Sequence, residues 1–296
     1  MTAPFSPFDS WEMNLTRFRD TVFIEDNHAF KVASRRKQFT GFPGGPNQDL
    51  MSYWGYKFET LSTLPNHWCQ CSRSDIEDRG VEIVSNYAQY CSVVRTGFGT
   101  VKVLIGGEVD AIEGMRSEDP SRQVPWVELK TSAEITSEKE GVKFERKLLK
   151  FWAQSFLLGV PKIVVGFRDQ QGTLLRLQEF RTQEIPDMVA SRRGLWNGQT
   201  CIDFTAGVLD WITDIVVGDG VWRLRKAEKS DALELQQLVD NGTGDILTEE
   251  FKHWRGVGMQ EMLERIKQEN TVKNSIPDTR NTDLQGNGIP NQTDPP

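Results

Sequence analysis

The chain has 296 residues, with 35 Lys and Arg against 42 Asp and Glu, a formal net charge of −7, and 38% hydrophobic residues, the composition of an ordinary globular protein able to bury a sizeable core. The acidic balance excludes a globally basic nucleic-acid binder, though not a local basic groove, and three histidines argue against a histidine-rich metal centre. No apolar run approaches the roughly 18 residues of a membrane span, Met1–Asp20 has no secretory core, and Cys69, Cys71, Cys91 and Cys201 read as thiols of a reducing compartment, not as disulfides or a zinc site.

Near the start, Thr21–Ile24 is strand-like, and Arg35-Arg36-Lys37 reads as a solvated loop more readily than as an import or phosphate signal. The breakers from Phe42 to Asn47 precede a helix over 50–64, N-capped at Asp49, with Met51, Trp54, Phe58 and Leu61 on one stripe and Glu59 beside it. Residues 65–84 form a polar surface insertion. β-branched content rises over Tyr87–Arg95; after a turn at Gly97–Gly99, a strand Val101–Ile105 leads into Gly106-Gly107-Glu108-Val109-Asp110, and Val124–Thr131 is the next strand. Gly141 opens a helix with Phe144, Leu148, Phe151, Trp152 and Phe156 on one face, ending at Gly159. Ile163–Phe167 and Leu174–Phe180 form a hairpin, a helix covers about 202–217, and Val221–Lys226 is a strand. Beyond Glu269 the polar composition without apolar periodicity predicts a disordered tail, 270–296. There is no internal repeat, no Gly-x-Gly-x-x-Gly and no Walker loop, so nucleotide-cofactor classes lack support.

Residues two apart on a strand share a face. Glu108 with Asp110 and Glu128 with Lys130 are two such pairs, and a hairpin of neighbouring strands would bring all four to one side of a sheet. Three carboxylates forced together raise one another's pKa values, a penalty that a divalent cation removes. Oxygen-only ligands suit Mg²⁺ or Mn²⁺, and the Lys would then hold a phosphate oxygen or orient a water. An Asp followed 18 residues later by Glu-x-Lys is the arrangement of the PD-(D/E)xK nucleases. Alternating charges on a strand usually mark only a solvated face; here the double glycine before Glu108 permits close backbone approach, and Trp126 shares the face of Glu128 and Lys130. On the following helix Lys147, Lys150 and Gln154 form a polar line, with Gln154 expected to be semi-buried and in need of a partner.

Five ordered segments, Tyr53-Trp-Gly-Tyr-Lys-Phe-Glu59, Tyr90-Cys-Ser-Val-Val-Arg95, Gly107-Glu-Val-Asp110, Val127-Glu-Leu-Lys-Thr131 and Leu149-Lys-Phe-Trp-Ala-Gln-Ser-Phe156, together resemble the DXO family of decapping nucleases. The stretch after Leu64 is most similar to its fungal branch, partners of the nuclear 5′-to-3′ exoribonuclease. The resemblance covers roughly Pro4 to Arg255. It implies a mixed α/β fold around two sheets with flanking helices, and a Mg²⁺- or Mn²⁺-dependent hydrolase with two cations, acting in the nucleus on RNA that carries a 5′-triphosphate, an unmethylated cap or an NAD cap. It further implies that Glu59, Asp110, Glu128 and the Leu129 carbonyl bind one cation, and that Glu108 holds a second cation or substrate. Lys130 and Gln154 would contact the scissile phosphate or attacking water, and Cys91 would line the substrate site. Family members carry an arginine-bearing segment upstream of the part matching Trp11–Asp26. Arg17 and Arg19 do not match it, so 1–269 is expected to be one nuclease domain lacking its N-terminal part. Two other readings stay open: a non-catalytic stabilising partner of the exoribonuclease, and a DNA nuclease of the wider superfamily.

Overall fold

The computed structural model describes residues 1–38, 47–119, 121–218, 220–238 and 246–274. In chain order come β1 (Trp11–Phe18), β2 (Thr21–Asp26), α1 (His28–Gln38), α2 (Gln48–Ser62), α3 (Arg73–Glu77), β3 (Cys91–Phe98), β4 (Val101–Glu108), β5 (Ala111–Ile112), β6 (Trp126–Ala133), α4 (Glu138–Leu158), β7 (Lys162–Arg168), β8 (Leu174–Arg181), α5 (Ile185–Arg192), α6 (Gly198–Ile215), β9 (Gly220–Lys226), β10 (Leu233–Gln237) and α7 (Glu249–Asn274). Contacts divide the chain into one unit over Met1–Gly244 and another over Asp245–Pro296, whose described element is α7. That helix carries through the composition change at Glu269; the expected tail beyond Asn274 lies outside the described residues. No helix among the described residues is long and apolar enough to cross a membrane.

The class is mixed α/β, as expected: two four-stranded sheets, ordered β10-β9-β1-β2 and β5-β6-β7-β8, with β3-β4 as a separate two-stranded ribbon. The first sheet is antiparallel throughout and lays Leu15, Trp222 and Leu224 against Ile212 and Val216 at the end of α6. Its inner strand β1 is not among the expected elements, although Trp11, Met13 and Leu15 alternate with polar residues. In the second sheet β6 and β7 are parallel and α4 crosses between them, while β7 and β8 form the expected hairpin, turned by Asp169 Oδ1 accepting the N–H groups of Gln171 at 2.9 Å and Thr173 at 2.8 Å.

Helix starts differ from expectation for a capping reason. α2 is capped by Asn47, whose side chain accepts the Asp49 N–H, so Asp49 is inside the helix rather than at its cap. α4 starts at Glu138, ahead of Gly141, because Ser137 caps it and Glu138 and Glu140 favour its positive end, which outweighs a glycine cost of about 1 kcal/mol. Asn27 turns the chain into α1 by accepting the Phe30 N–H, which puts Arg35-Arg36-Lys37 on a helix and not in a loop.

The register fixes which side chains face α4. Glu128 pairs with Ile163 and Lys130 with Val165 on parallel strands, so all four share one face; there Ile163, Val165 and Phe167 pack with Phe144, Leu148, Phe151 and Trp152 of α4. Val127 and Leu129 face the other way, against Phe58 of α2. That contact needs Gly166, where a Cβ would lie 2.8 Å from the Phe58 ring. The ribbon β3-β4 packs on α4 and α6.

Candidate active site

The expected hairpin between the strand of Glu108 and the strand of Glu128 does not exist: β4 pairs with β3, and the neighbours of β6 are β5 and β7. Nor do Glu108 and Asp110 share a strand, since β4 ends at Glu108 and the Val109 N–H is drawn to the Tyr90 carbonyl at 3.0 Å. The four residues meet by another route. Asp110, in the link to β5, reaches over to β6, where its Oδ2 accepts the Leu129 N–H at 2.6 Å. Gly107 brings Glu108 in, because β4 lies so close to the end of α4 that a Cβ there would sit 2.7 Å from a Leu158 methyl. Gly106 faces only the Cys91 sulfur at 3.8 Å, so the second glycine, not the pair, is the one required.

Glu128 is the centre. It is fully buried, one of its oxygens (Oε1) takes the Lys130 ammonium and, at 2.7 Å, the Gln154 amide, and the other (Oε2) has no protein hydrogen-bond partner. Gln154 is exposed and not semi-buried as expected, and its partner is Glu128 itself. Burial raises the Glu128 pKa, with Lys130 opposing and Asp110 and Glu108 adding to the rise. Burial lowers that of Lys130, yet Glu128, Asp110 and Glu59 outweigh it and hold the ammonium above its ordinary value. Glu59, next to Phe58 on α2, is pushed up to about 7, first by burial, then by Asp110, with Glu108 and Glu128 contributing and Lys130 opposing. The expected site residues Glu59, Glu108, Asp110, Glu128, Lys130 and Gln154 are thus within one electrostatic neighbourhood, and the Leu129 peptide enters it through its N–H.

Cys91, at the start of β3, is the cross-strand partner of Glu108 and is exposed beside it. It borders a cavity of about 430 Å³ walled by Tyr90, Trp126, Arg116 and Leu158, in which the Tyr90 and Trp126 rings lie 5.4 Å apart. A cavity of about 520 Å³ lies on the opposite face of the sheet, among Phe58, Leu129, Val164, Arg168 and Leu174, and holds none of Glu59, Glu108, Asp110 and Glu128. The polar line on α4 divides: Lys150 pairs with Asp9 at 2.8 Å, whereas the Lys147 tip is tucked onto the Thr131 carbonyl at 2.9 Å. Burial of that tip, with Arg168 and Lys130 near it, lowers its pKa to about 8. The sequence reading missed Leu158, which sets the approach of β4; a leucine one residue before the αL cap Gly159 is a C-terminal packing position that could have signalled it.

The donor set fits a hard divalent cation. Four carboxylates crowd one another, one is held near neutral pKa, and a buried carboxylate oxygen points at no partner. Among the described residues no three acidic, cysteine or histidine side chains close on one point; one Glu128 oxygen is taken by Lys130 and Gln154, and one Asp110 oxygen by the Leu129 N–H.

A Glu-x-Lys strand, an Asp bonded to its backbone, and a crossover helix supplying Gln154 define a nuclease of the PD-(D/E)XK type. The chain belongs within that type to the RAI1-like PD-(D/E)XK nuclease family, whose sequence model matches residues 1–252. It is a hydrolase of the decapping-nuclease class: it is 53% identical over 256 residues to the decapping nuclease RAI1 of Emericella nidulans, covering 86% of this chain and 69% of that protein. It is 51% identical to the one from Neurospora crassa, of which it spans 62%. Two solved structures are similar over 86% of the chain, each at 32% identity: Scheffersomyces stipitis Rai1, with a TM-score of 0.79 and 71% of that chain covered, and Candida albicans Rai1 in complex with pU5-Mn²⁺, with 0.77 and 72%.

Proposed function

We propose that this chain hydrolyses the 5′ end of RNA in the presence of a divalent cation, Mg²⁺ or Mn²⁺, releasing pyrophosphate, an incomplete cap or NAD, and that it does so in the nucleus as a step of 5′-end quality control. The observation that carries this reading is the buried Glu128, with Lys130 and Gln154 on one oxygen and the other oxygen unpartnered, beside Asp110 and the near-neutral Glu59. Glu59, Asp110, Glu128 and the Leu129 carbonyl would hold one cation, and Glu108 a second cation or the substrate. Bound there, a cation supplies Lewis-acid polarisation of a phosphoryl oxygen and acidifies a water. The protein's own part is positional. Lys130 donates to the scissile phosphate, Gln154 orients the attacking water through its amide, and Cys91 beside Glu108 bounds the substrate. The Mn²⁺–pU5 complex of the Candida albicans relative supports both the cation and the RNA.

Asp110→Ala and Glu128→Ala should each abolish release from 5′-triphosphate RNA and NAD-capped RNA while circular dichroism stays native. Full activity in either variant removes the site assignment, and equal cleavage of DNA makes the protein a general nuclease.

A second reading, a stabilising partner of a 5′-to-3′ exoribonuclease, has its own support. β8 is the edge strand of its sheet and leaves Leu174, Leu175 and Leu177 exposed, an apolar edge suited to another protein. Glu128→Ala added to the exoribonuclease should prolong its activity at elevated temperature if this role exists apart from hydrolysis.

A further inference from the structure

The four cysteines stand in different surroundings. Cys201 is fully buried, and the Cys91 sulfur has a backbone carbonyl, that of Ser92, as its hydrogen-bond partner at 3.8 Å. Cys69 has a side-chain base. It is exposed on a short 3₁₀ turn, Trp68–Gln70, in the stretch that follows α2, and its sulfur lies 2.9 Å from Nδ1 of His67. Two residues on, the half-buried Cys71 folds its thiol back over the same turn and donates to the Asn66 carbonyl at 3.2 Å. His67, Cys69 and Cys71 thus gather one imidazole and two thiols within five residues, and none of the three is among the groups that perturb Glu59, Glu128 or Lys130.

The backbone holds this cluster in place. The His67 carbonyl accepts the Gln70 N–H at 2.8 Å, the Trp68 carbonyl accepts the Cys71 N–H at 3.2 Å, and Ser72, the next residue, caps α3 reciprocally with Asp75. The far end of the stretch is fastened to α2, whose Lys57 gives its ammonium to the carbonyls of Arg79, Gly80 and Glu82 at 2.9–3.2 Å. Imidazole and thiol therefore meet without a further ordering cost. The thiolate, not the thiol, is the nucleophile, and an imidazole in contact with the sulfur accepts its proton. We infer that Cys69 is a thiol–disulfide exchange site for a low-molecular-weight disulfide of the oxidised-glutathione type, with Cys71 as the resolving thiol. His67 takes the Cys69 proton, and the thiolate bonds to one sulfur of the disulfide. The disulfide's own S–S bond breaks, and its departing sulfur takes the proton from His67 and leaves as a reduced thiol. Cys71 then attacks the Cys69 sulfur of the mixed disulfide; a Cys69–Cys71 bond forms, and the second small thiol leaves with the Cys71 proton. Two protein thiols are oxidised and one small disulfide is reduced, so no metal or further oxidant is needed.

The test uses the full chain and oxidised glutathione at neutral pH, with peptide mass mapping to follow each cysteine against time. Cys69 should react first, about fivefold or more ahead of Cys91, which is also exposed but has no imidazole on its sulfur. His67→Ala should slow Cys69 by about fivefold or more and leave Cys91 within about twofold, so that Cys91 in the same sample reports any general change in the protein. In the wild type the glutathione should leave again, with a Cys69–Cys71 disulfide remaining. In Cys71→Ser the glutathione adduct should persist on Cys69. Cys91 reacting first, or an unchanged Cys69 rate in His67→Ala, overturns the exchange site. A wild-type protein that keeps its adduct as Cys71→Ser does overturns the resolving role of Cys71.

Discussion

Gly107→Ala tests whether the approach of β4 to α4 positions the site. The added Cβ would sit 2.7 and 2.8 Å from the two Leu158 methyls and 3.2 Å from its Cγ, about 1 Å inside the 3.5–4.0 Å at which carbon atoms rest. Leu158 has little space to yield, being 5% exposed and packed with Val109, Trp126 and Val160. Overpacking of this kind costs about 1–3 kcal/mol, which at about 2–4 °C per kcal/mol lowers Tm by roughly 2–12 °C. If β4 shifts to relieve it, Glu108, the next residue, moves with it, and turnover falls as well. Leu158→Ala alone costs about 2–5 kcal/mol by leaving a cavity. In the double variant the new methyl occupies part of that cavity, so the two losses should fall short of their sum by at least about 1 kcal/mol. Urea unfolding of all four proteins measures the cycle. Additivity, or a Gly107→Ala protein that melts with the wild type, refutes the close-approach argument.

Three further outcomes follow from the buried charges. Lys130→Met leaves the fully buried Glu128 without a counter-ion and should cost about 3–5 kcal/mol in metal-free protein; Mn²⁺ should raise the Tm of this variant more than that of the wild type, and equal shifts would count against a cation site at Glu128. Glu59 carries a folded pKa of about 7 against an ordinary 4.5, so the folded state binds more protons in that window and metal-free stability falls as pH rises through it. Glu59→Gln should flatten that fall in unfolding curves measured between pH 4.5 and 7, and a wild-type curve already flat there would contradict it. Arg193 pairs with Glu145, which is 1% exposed and has its second oxygen unpartnered, so Arg193→Ala should lower the midpoint of denaturant unfolding by leaving a buried carboxylate without its partner; an unchanged midpoint would refute the role of this pair.

The parts of the fold that could be read in advance are those whose signal is local. The apolar stripe of α4, the hairpin β7-β8 and the strand β9 announce themselves within a window of a few residues, and their ends move only where a cap such as Ser137 lies outside the apolar pattern. The sheet β10-β9-β1-β2 joins Trp11 to Lys226 across most of the chain, and nothing in either segment specifies the other. Leu15 is buried by Ile212, Val216, Trp222 and Leu224, residues that periodicity cannot associate with it.

The site is legible in the sequence, but not through the hairpin that spacing by two suggests. Spacing by two correctly put Glu128 and Lys130 on one face, because both lie on β6. It failed for Glu108 and Asp110, since β4 stops between them, and the hairpin meant to join the two pairs is absent. Convergence survives because each half is tied independently to the β6-α4 unit: Asp110 through the Leu129 N–H, Glu108 through the Gly107–Leu158 contact, and Gln154 through Glu128. Short motifs carry the chemistry and tell little about the ladder. The net charge of −7 yields to the same logic, because it counts carboxylates without placing them, and four of them, Glu59, Glu108, Asp110 and Glu128, gather at one point where their crowding favours a cation.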